Sequence, residues 1–130
     1  MRIEHFALWA RDIEVMRAFY LRYFEAKSNE RYFNEKKHYQ SYFLSFEGGA
    51  RLELMQRPDI QALPPHGAET QFFGYAHLAI SVGSEAKVDE LTARLVADGL
   101  TRLDGPRWTG DGYYESVVLD PENNRIEITA

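Results

Sequence analysis

One short message is written twice in this chain, and the same two metal-type ligands recur with it. Glu4-His5-Phe6-Ala7-Leu8 returns as Ala76-His77-Leu78-Ala79-Ile80, and Arg51-Leu52-Glu53-Leu54-Met55 returns as Arg125-Ile126-Glu127-Ile128-Thr129. The histidines are 72 residues apart and the glutamates 74 (77 − 5 and 127 − 53). Self-similarity of this kind marks two copies of one supersecondary unit, each needing a neighbour to bury its apolar face. A chain of 130 residues has the size of one domain. The expectation is therefore a single domain over 1–130, made of modules 1–57 and 74–130. The link between them, 58–73, carries Pro58, Pro64, Pro65 and Gly67, residues that interrupt regular structure.

The apolar pattern orders the elements inside each module. Residues 3–9 form a short apolar run that reads as a strand, and Asp12 can cap a helix by accepting from the free amides of its first turn. Ile13, Met16, Phe19, Tyr20 and Tyr23 then recur at helical spacing, with Lys27-Ser28-Asn29 predicted to end the helix. Strands are expected at 31–33, 39–46 and 50–56, the last after a Gly48-Gly49 turn. The second module repeats the order. A strand is predicted at 75–82, and Ser84 caps a helix burying Val88, Leu91 and Leu95. Gly99 stops that helix in the left-handed position glycine tolerates. Strands follow at 101–103, 114–119 and 125–129, with 120–124 as the last turn. Each module reads strand, helix, strand, strand, strand.

Side chains alternate across a strand. That places Phe6 and Leu8 on one face and His5, Ala7 and Trp9 on the other. Glu53, His77 and Glu127 are each bracketed by apolar residues in the same way, so all four occupy the face opposite the apolar one. Two imidazoles and two carboxylates suit Zn²⁺, Ni²⁺, Co²⁺, Mn²⁺ or Fe²⁺, and a divalent ion would neutralise the paired acids. His38 and His66 have no partner in the repeat and are read as ordinary polar residues.

A formal charge of −5 disfavours nucleic acid or an anionic membrane surface as partner, since both require basic patches. No stretch has the roughly 20 apolar residues of a membrane span, and the first residues lack the layout of a secretory signal. Cysteine is absent, which removes thiolate catalysis, disulfides and cysteine zinc sites and fits a cytoplasmic location. Aromatic residues make up 14%, so some rings are expected to line a cavity.

With these features the chain resembles the vicinal oxygen chelate superfamily, the glyoxalase/bleomycin-resistance/dioxygenase group. The resemblance is carried by Gly74-Tyr75-Ala76-His77-Leu78-Ala79-Ile80, by Asp120-Pro121-Glu122-Asn123-Asn124-Arg125-Ile126-Glu127, and by the His5 strand followed by Phe19-Tyr20. It implies an α+β fold of two βαβββ modules whose curved mixed sheets enclose a metal cavity, usually in a homodimer. Within the group, the order His5, Glu53, His77, Glu127 is similar to glyoxalase I (lactoylglutathione lyase). Ring-cleaving dioxygenases typically use two His and one Glu, and methylmalonyl-CoA epimerase typically has Gln at the position of Glu53. Resemblance to glyoxalase I implies a divalent ion, Zn²⁺ or Ni²⁺ before Co²⁺, Mn²⁺ or Fe²⁺. It also implies lyase or isomerase chemistry through a metal-stabilised enediolate, with Glu127 or its counterpart Glu53 as base. The sequence alone does not choose between those two.

Two positions depart from the glutathione-using pattern. Trp9 stands where an Arg is common, and Arg57 where an Asn is common. The expected substrate is therefore a small oxygenated compound, flatter or more apolar than a thiol peptide, with Trp9 as a wall and Arg57 available to an anionic group. The segment Trp108-Thr109-Gly110-Asp111-Gly112-Tyr113-Tyr114 joins two strands. It reads as a lid that could bring Trp108 or Tyr113 over the site. The rivals are an epimerase, a ring-cleaving dioxygenase, and a binding protein that sequesters a small aromatic compound without turnover.

Overall fold

The computed structural model describes all residues, 1–130, which divide into two compact units, Met1–Pro64 and Pro65–Ala130. No helix is long and apolar enough to cross a membrane.

In the first unit, strand β1 (His5–Trp9) leads into helix α1 (Ile13–Phe24). The Asp12 carboxylate accepts from the amides of Glu14 and Val15 at 3.0 and 3.1 Å, as its position predicts. Ile13, Met16, Phe19, Tyr20, Tyr23 and Phe24 form the buried face; full burial of each such side chain stabilises by about 1.5–3 kcal/mol. The helix ends earlier than predicted. Glu25 adopts the left-handed conformation at φ 54°, and Lys27–Ser28 goes on to form a two-residue strand, β2. Strands β3 (Tyr32–Asn34), β4 (Tyr39–Ser45) and β5 (Arg51–Gln56) complete an open sheet ordered β1-β5-β4-β2, with β3 also on β4.

Register assigns the two faces of this sheet. β1 runs parallel to β5 with Ala7 opposite Glu53, and β4 runs antiparallel to β5 with Phe43 opposite Glu53. Leu44, Leu52 and Leu54 are buried, and the Tyr42 hydroxyl donates to Glu14 of α1 at 2.7 Å. The even-numbered residues of β4 and β5 thus face the helix. Glu53, Phe43 and their neighbours on the pleat face away from it.

The second unit repeats the plan. Strand β6 (Leu78–Ser81), helix α2 (Glu85–Ala97), β7 (Arg102–Trp108), β8 (Tyr114–Leu119) and β9 (Arg125–Thr129) build an open sheet ordered β6-β9-β8-β7. Ser84 caps α2 by accepting from the Lys87 amide at 3.3 Å. Gly99, at φ 91°, closes the helix as predicted. Its amide donates to the Val96 carbonyl and the Leu100 amide to the Leu95 carbonyl, both at 3.0 Å, the paired bonds of a Schellman ending.

Val88, Thr92 and Leu95 are the buried residues of α2. Leu91, predicted among them, is only partly covered. Thr92 takes the central place by bonding to Ser116 of β8 at 2.6 Å. Strand β7 runs five residues beyond its predicted end, through Pro106. Proline is tolerated there because β7 is the sheet edge and its pairing with β8 shifts register between Asp104 and Arg107. Gly105 is required at that break: a Cβ would lie 2.4 Å from the Glu115 carbonyl oxygen.

Candidate functional site

Each unit holds one of the two repeated His–Glu pairs. In the first, Ala7 lies opposite Glu53 in the parallel ladder, and His5, two residues before Ala7, shares its face. His5 Nε2 stands 3.6 Å from Glu53 Oε2, with the histidine side chain 38% and the glutamate 13% exposed. The other nitrogen of the ring, Nδ1, contacts the Glu4 carboxylate, which also accepts from Arg51 Nε at 2.9 Å. These two partners hold the Glu4 carboxyl below the usual range, the His5 contact first and Arg51 second. A carboxylate on Nδ1 orients the ring and leaves Nε2 directed at Glu53, the arrangement in which metal-ligating histidines are commonly held.

In the second unit Ala79 lies opposite Glu127. His77 stands just ahead of β6, because that strand starts at Leu78 and not at Tyr75 as predicted. His77 Nε2 is 3.1 Å from Glu127 Oε2, with side chains 40% and 21% exposed. Tyr114 donates to Asp89 of α2 at 2.7 Å, and Thr92 of α2 bonds Ser116. Even-numbered residues of β8 therefore face the helix, and Glu127, opposite Val117, faces away from it.

The donor set can be tested against a divalent ion. With bonds near 2.1 Å, nitrogen and oxygen atoms 3.1 and 3.6 Å apart subtend angles of roughly 95° and 120° at the ion. Both values are ordinary for Zn²⁺, Ni²⁺ or Co²⁺, so each pair fits as a two-point ligand. The donors come as these two pairs; no group of three or more His, Asp or Glu is placed to hold an ion.

Several neighbours were not anticipated. The Tyr39 hydroxyl donates to Glu53 Oε1 at 3.0 Å, and burial first, with the Glu53 charge contributing, raises its pKa. In the sequence Tyr39 reads only as the first residue of the strand expected at 39–46. Glu115 stands diagonally across the ladder from Glu127 on the same face. Burial, then the charges of Glu127 and Asp111, push its carboxyl up. The only advance signal for Glu115 was its alternation with the helix-facing residues Tyr114 and Ser116.

The expected pocket residues divide. Trp9 lies on the His5 side of β1, edge-on to Tyr39 at 6.3 Å, with the Arg57 guanidinium 5.3 Å from its ring centre. Arg57 is also paired with Asp59. Trp108 is placed elsewhere than the lid reading expects. It is the last residue of β7 and pairs with Tyr114 in the ladder, its ring edge-on to Tyr114 at 5.6 Å. Since Tyr114 faces α2, the Trp108 ring lies on the helix side of the sheet, away from Glu127. Tyr113 is exposed in the β7–β8 turn, which is closed by the bond from the Thr109 amide to the Tyr113 carbonyl at 2.8 Å.

Comparison with known proteins agrees with this architecture. The profile of the Glyoxalase/Bleomycin resistance protein/Dioxygenase superfamily matches residues 2–128. Among solved structures, the trypanothione-dependent glyoxalase I of Leishmania major is 20% identical, with 99% of this chain and 86% of that chain covered and a TM-score of 0.77. A possible glyoxalase from Bacillus cereus is 24% identical over 100% and 99%, with a TM-score of 0.71. A glyoxalase I variant from Zea mays is 20% identical over 98% of this chain and 44% of its own, with a TM-score of 0.76. At these identities the likeness is one of fold. No curated protein matches.

Proposed function

The chain belongs to the Glyoxalase/Bleomycin resistance protein/Dioxygenase superfamily, and on that premise we propose that it is a divalent-metal lyase or isomerase of the glyoxalase I type. In this reading His5, Glu53, His77 and Glu127 are the ligands of one ion, Zn²⁺ or Ni²⁺ by preference, in a cytoplasmic homodimer. The observation that carries the reading is the repeated pair: each unit directs one imidazole nitrogen and one carboxylate oxygen, 3.6 and 3.1 Å apart, to the side of its sheet opposite the helix.

When bound, the ion stabilises the negative charge that develops on the oxygens of an α-hydroxycarbonyl-type substrate. The protein's own groups supply the rest. Glu127 takes the proton from one carbon and returns it to the next, while Glu53, held by Tyr39, keeps its place. Trp9 presents a flat apolar wall on the His5 face of β1, next to Tyr39. Arg57 stacks on that wall with its charge already answered by Asp59. This favours a small, flat, oxygenated substrate over one that needs a free cation at this position.

Metal titration of the chelated protein tests the proposal. One tightly held divalent ion, weakened strongly and equally by His5→Ala and His77→Ala, is the expected result. Independent weak sites, or no binding by the reloaded protein, would overturn it, and the latter would favour a sequestering protein. Oxygen uptake on catechols with Fe²⁺ would move the assignment to ring cleavage.

A further inference from the structure

We propose that Tyr39 is a positioning residue for the metal ligand Glu53, fixing which carboxylate oxygen is offered to the ion. The proposal rests on the metal-site reading above and extends it to a side chain outside the ligand set.

Three observations carry it. First, the hydroxyl of Tyr39 donates to Oε1 at 3.0 Å, and the oxygen nearest His5 Nε2 is the other one, Oε2, at 3.6 Å. The two oxygens of Glu53 are thereby given different work: one accepts the phenol proton and the other faces the imidazole.

Second, Tyr39 is itself held. Its backbone pairs with Asn34 in the β3–β4 ladder, and its ring packs with those of Trp9 and Tyr32, centroids 6.3 and 6.1 Å away. A hydroxyl on a fixed ring is a directional constraint, whereas one on a loose side chain would follow the carboxylate wherever it turned. Third, the bond lies on the sheet face that carries the ligands. The comparable phenol–carboxylate bond of this unit, Tyr42 to Glu14 at 2.7 Å, lies on the helix face and serves packing.

The chemical consequence is one-oxygen ligation. A glutamate with both oxygens free can swing or bind through both, and each alternative changes the geometry offered to the ion. With one lone pair of Oε1 taken by the phenol, Oε2 is the oxygen left facing His5 Nε2, and the rotamer that presents it is already chosen before the ion arrives. Removal of such outer partners typically weakens metal affinity by about 10–100-fold.

Co²⁺ is a suitable probe, because its visible absorption reports ligand number and geometry independently of turnover. Wild type, Tyr39→Phe and Tyr42→Phe are titrated with Co²⁺ in competition with a chelator, and their spectra recorded at saturation. The expected result is that Tyr39→Phe loses about 10–100-fold in affinity and shifts the absorption bands, while Tyr42→Phe matches wild type in both. Tyr39→Phe with wild-type affinity and spectrum would overturn the positioning role and leave the metal site intact. An equal loss in Tyr42→Phe would trace the effect to general loosening of the sheet and also overturn it. Failure of the wild type to bind Co²⁺ would overturn the metal reading itself, and this proposal with it.

Discussion

Replacing Thr92 by Val should destabilise the protein more than removing the hydroxyl of its partner Ser116, although the two oxygens share one bond. Both residues are 1% exposed, and their hydroxyl oxygens lie 2.6 Å apart. The Thr92 hydroxyl is also 2.6 Å from the Val88 carbonyl one turn back in α2. A hydroxyl has one proton. If Thr92 gives its proton to Val88, the proton between the two hydroxyls must come from Ser116. Thr92→Val then leaves the Ser116 hydroxyl buried with no acceptor, which costs about 1–3 kcal/mol. Ser116→Ala leaves Thr92 with its donor still satisfied, and the loss is that of one ordinary bond, about 0.5–1.5 kcal/mol. The double variant removes the stranded group as well. It should be about 1 kcal/mol more stable than the sum of the two singles allows, a coupling within the range found for groups in one network. Urea unfolding with an unchanged m-value measures all three. Strict additivity, or Ser116→Ala costing more than Thr92→Val, would refute the donor assignment and the account of how α2 is fastened to β8.

Two further outcomes follow from the charged groups. Asp120 is buried and accepts from the amides of Glu122 and Asn124 and from the Asn124 side chain, and desolvation raises its pKa despite these bonds. A carboxyl raised on folding binds more protons folded than unfolded in the window above the ordinary Asp value, so it lowers stability as pH climbs through that window and adds no slope beyond it. The difference in urea stability between wild type and Asp120→Asn should therefore drift toward the variant as pH rises from about 4 and then level off. A difference that is flat with pH, or of opposite slope, would refute this. Glu4→Ala should weaken Co²⁺ binding by about tenfold through loss of the carboxylate on His5 Nδ1. Because Glu4 is exposed, the urea midpoint should stay unchanged; unaltered affinity in the chelator competition would remove Glu4 from the site.

Much of this architecture could be read in the chain because the repeat and the apolar spacing describe the same objects. The two caps, the buried face of α1, and the alternation around Glu53 and Glu127 follow from local rules that packing did not override. The misses share a cause as well. Edge elements have no dense apolar pattern, so the starts of β1 and β6, the two-residue β2 and the reach of β7 through Pro106 depend on pairing partners far along the chain. Thr92 displaced Leu91 from the core because a hydroxyl finds a partner in Ser116, and no window around α2 contains Ser116. The glycines beside Trp108 suggest a lid over the site, whereas strand register turns its ring to the helix side.

The repeat also brings out a difference between its halves. Tyr39 and Glu53 recur as Tyr113 and Glu127 at the same offset of 74 residues (113 − 39 and 127 − 53). Tyr39 stands in its ladder with its hydroxyl on Glu53, while Tyr113 lies exposed in a turn. Where the first unit has Ser41, the second has Glu115, whose carboxyl is raised by burial and by the charge of Glu127. One glutamate therefore has a hydrogen-bond donor beside it and the other an acid. A donor steadies a carboxylate in one orientation, as a permanent ligand requires. The two neighbours thus diverge between sheets that share the same ladder register around Glu53 and Glu127, and it is the glutamate proposed as the fixed ligand that has the phenol to hold it.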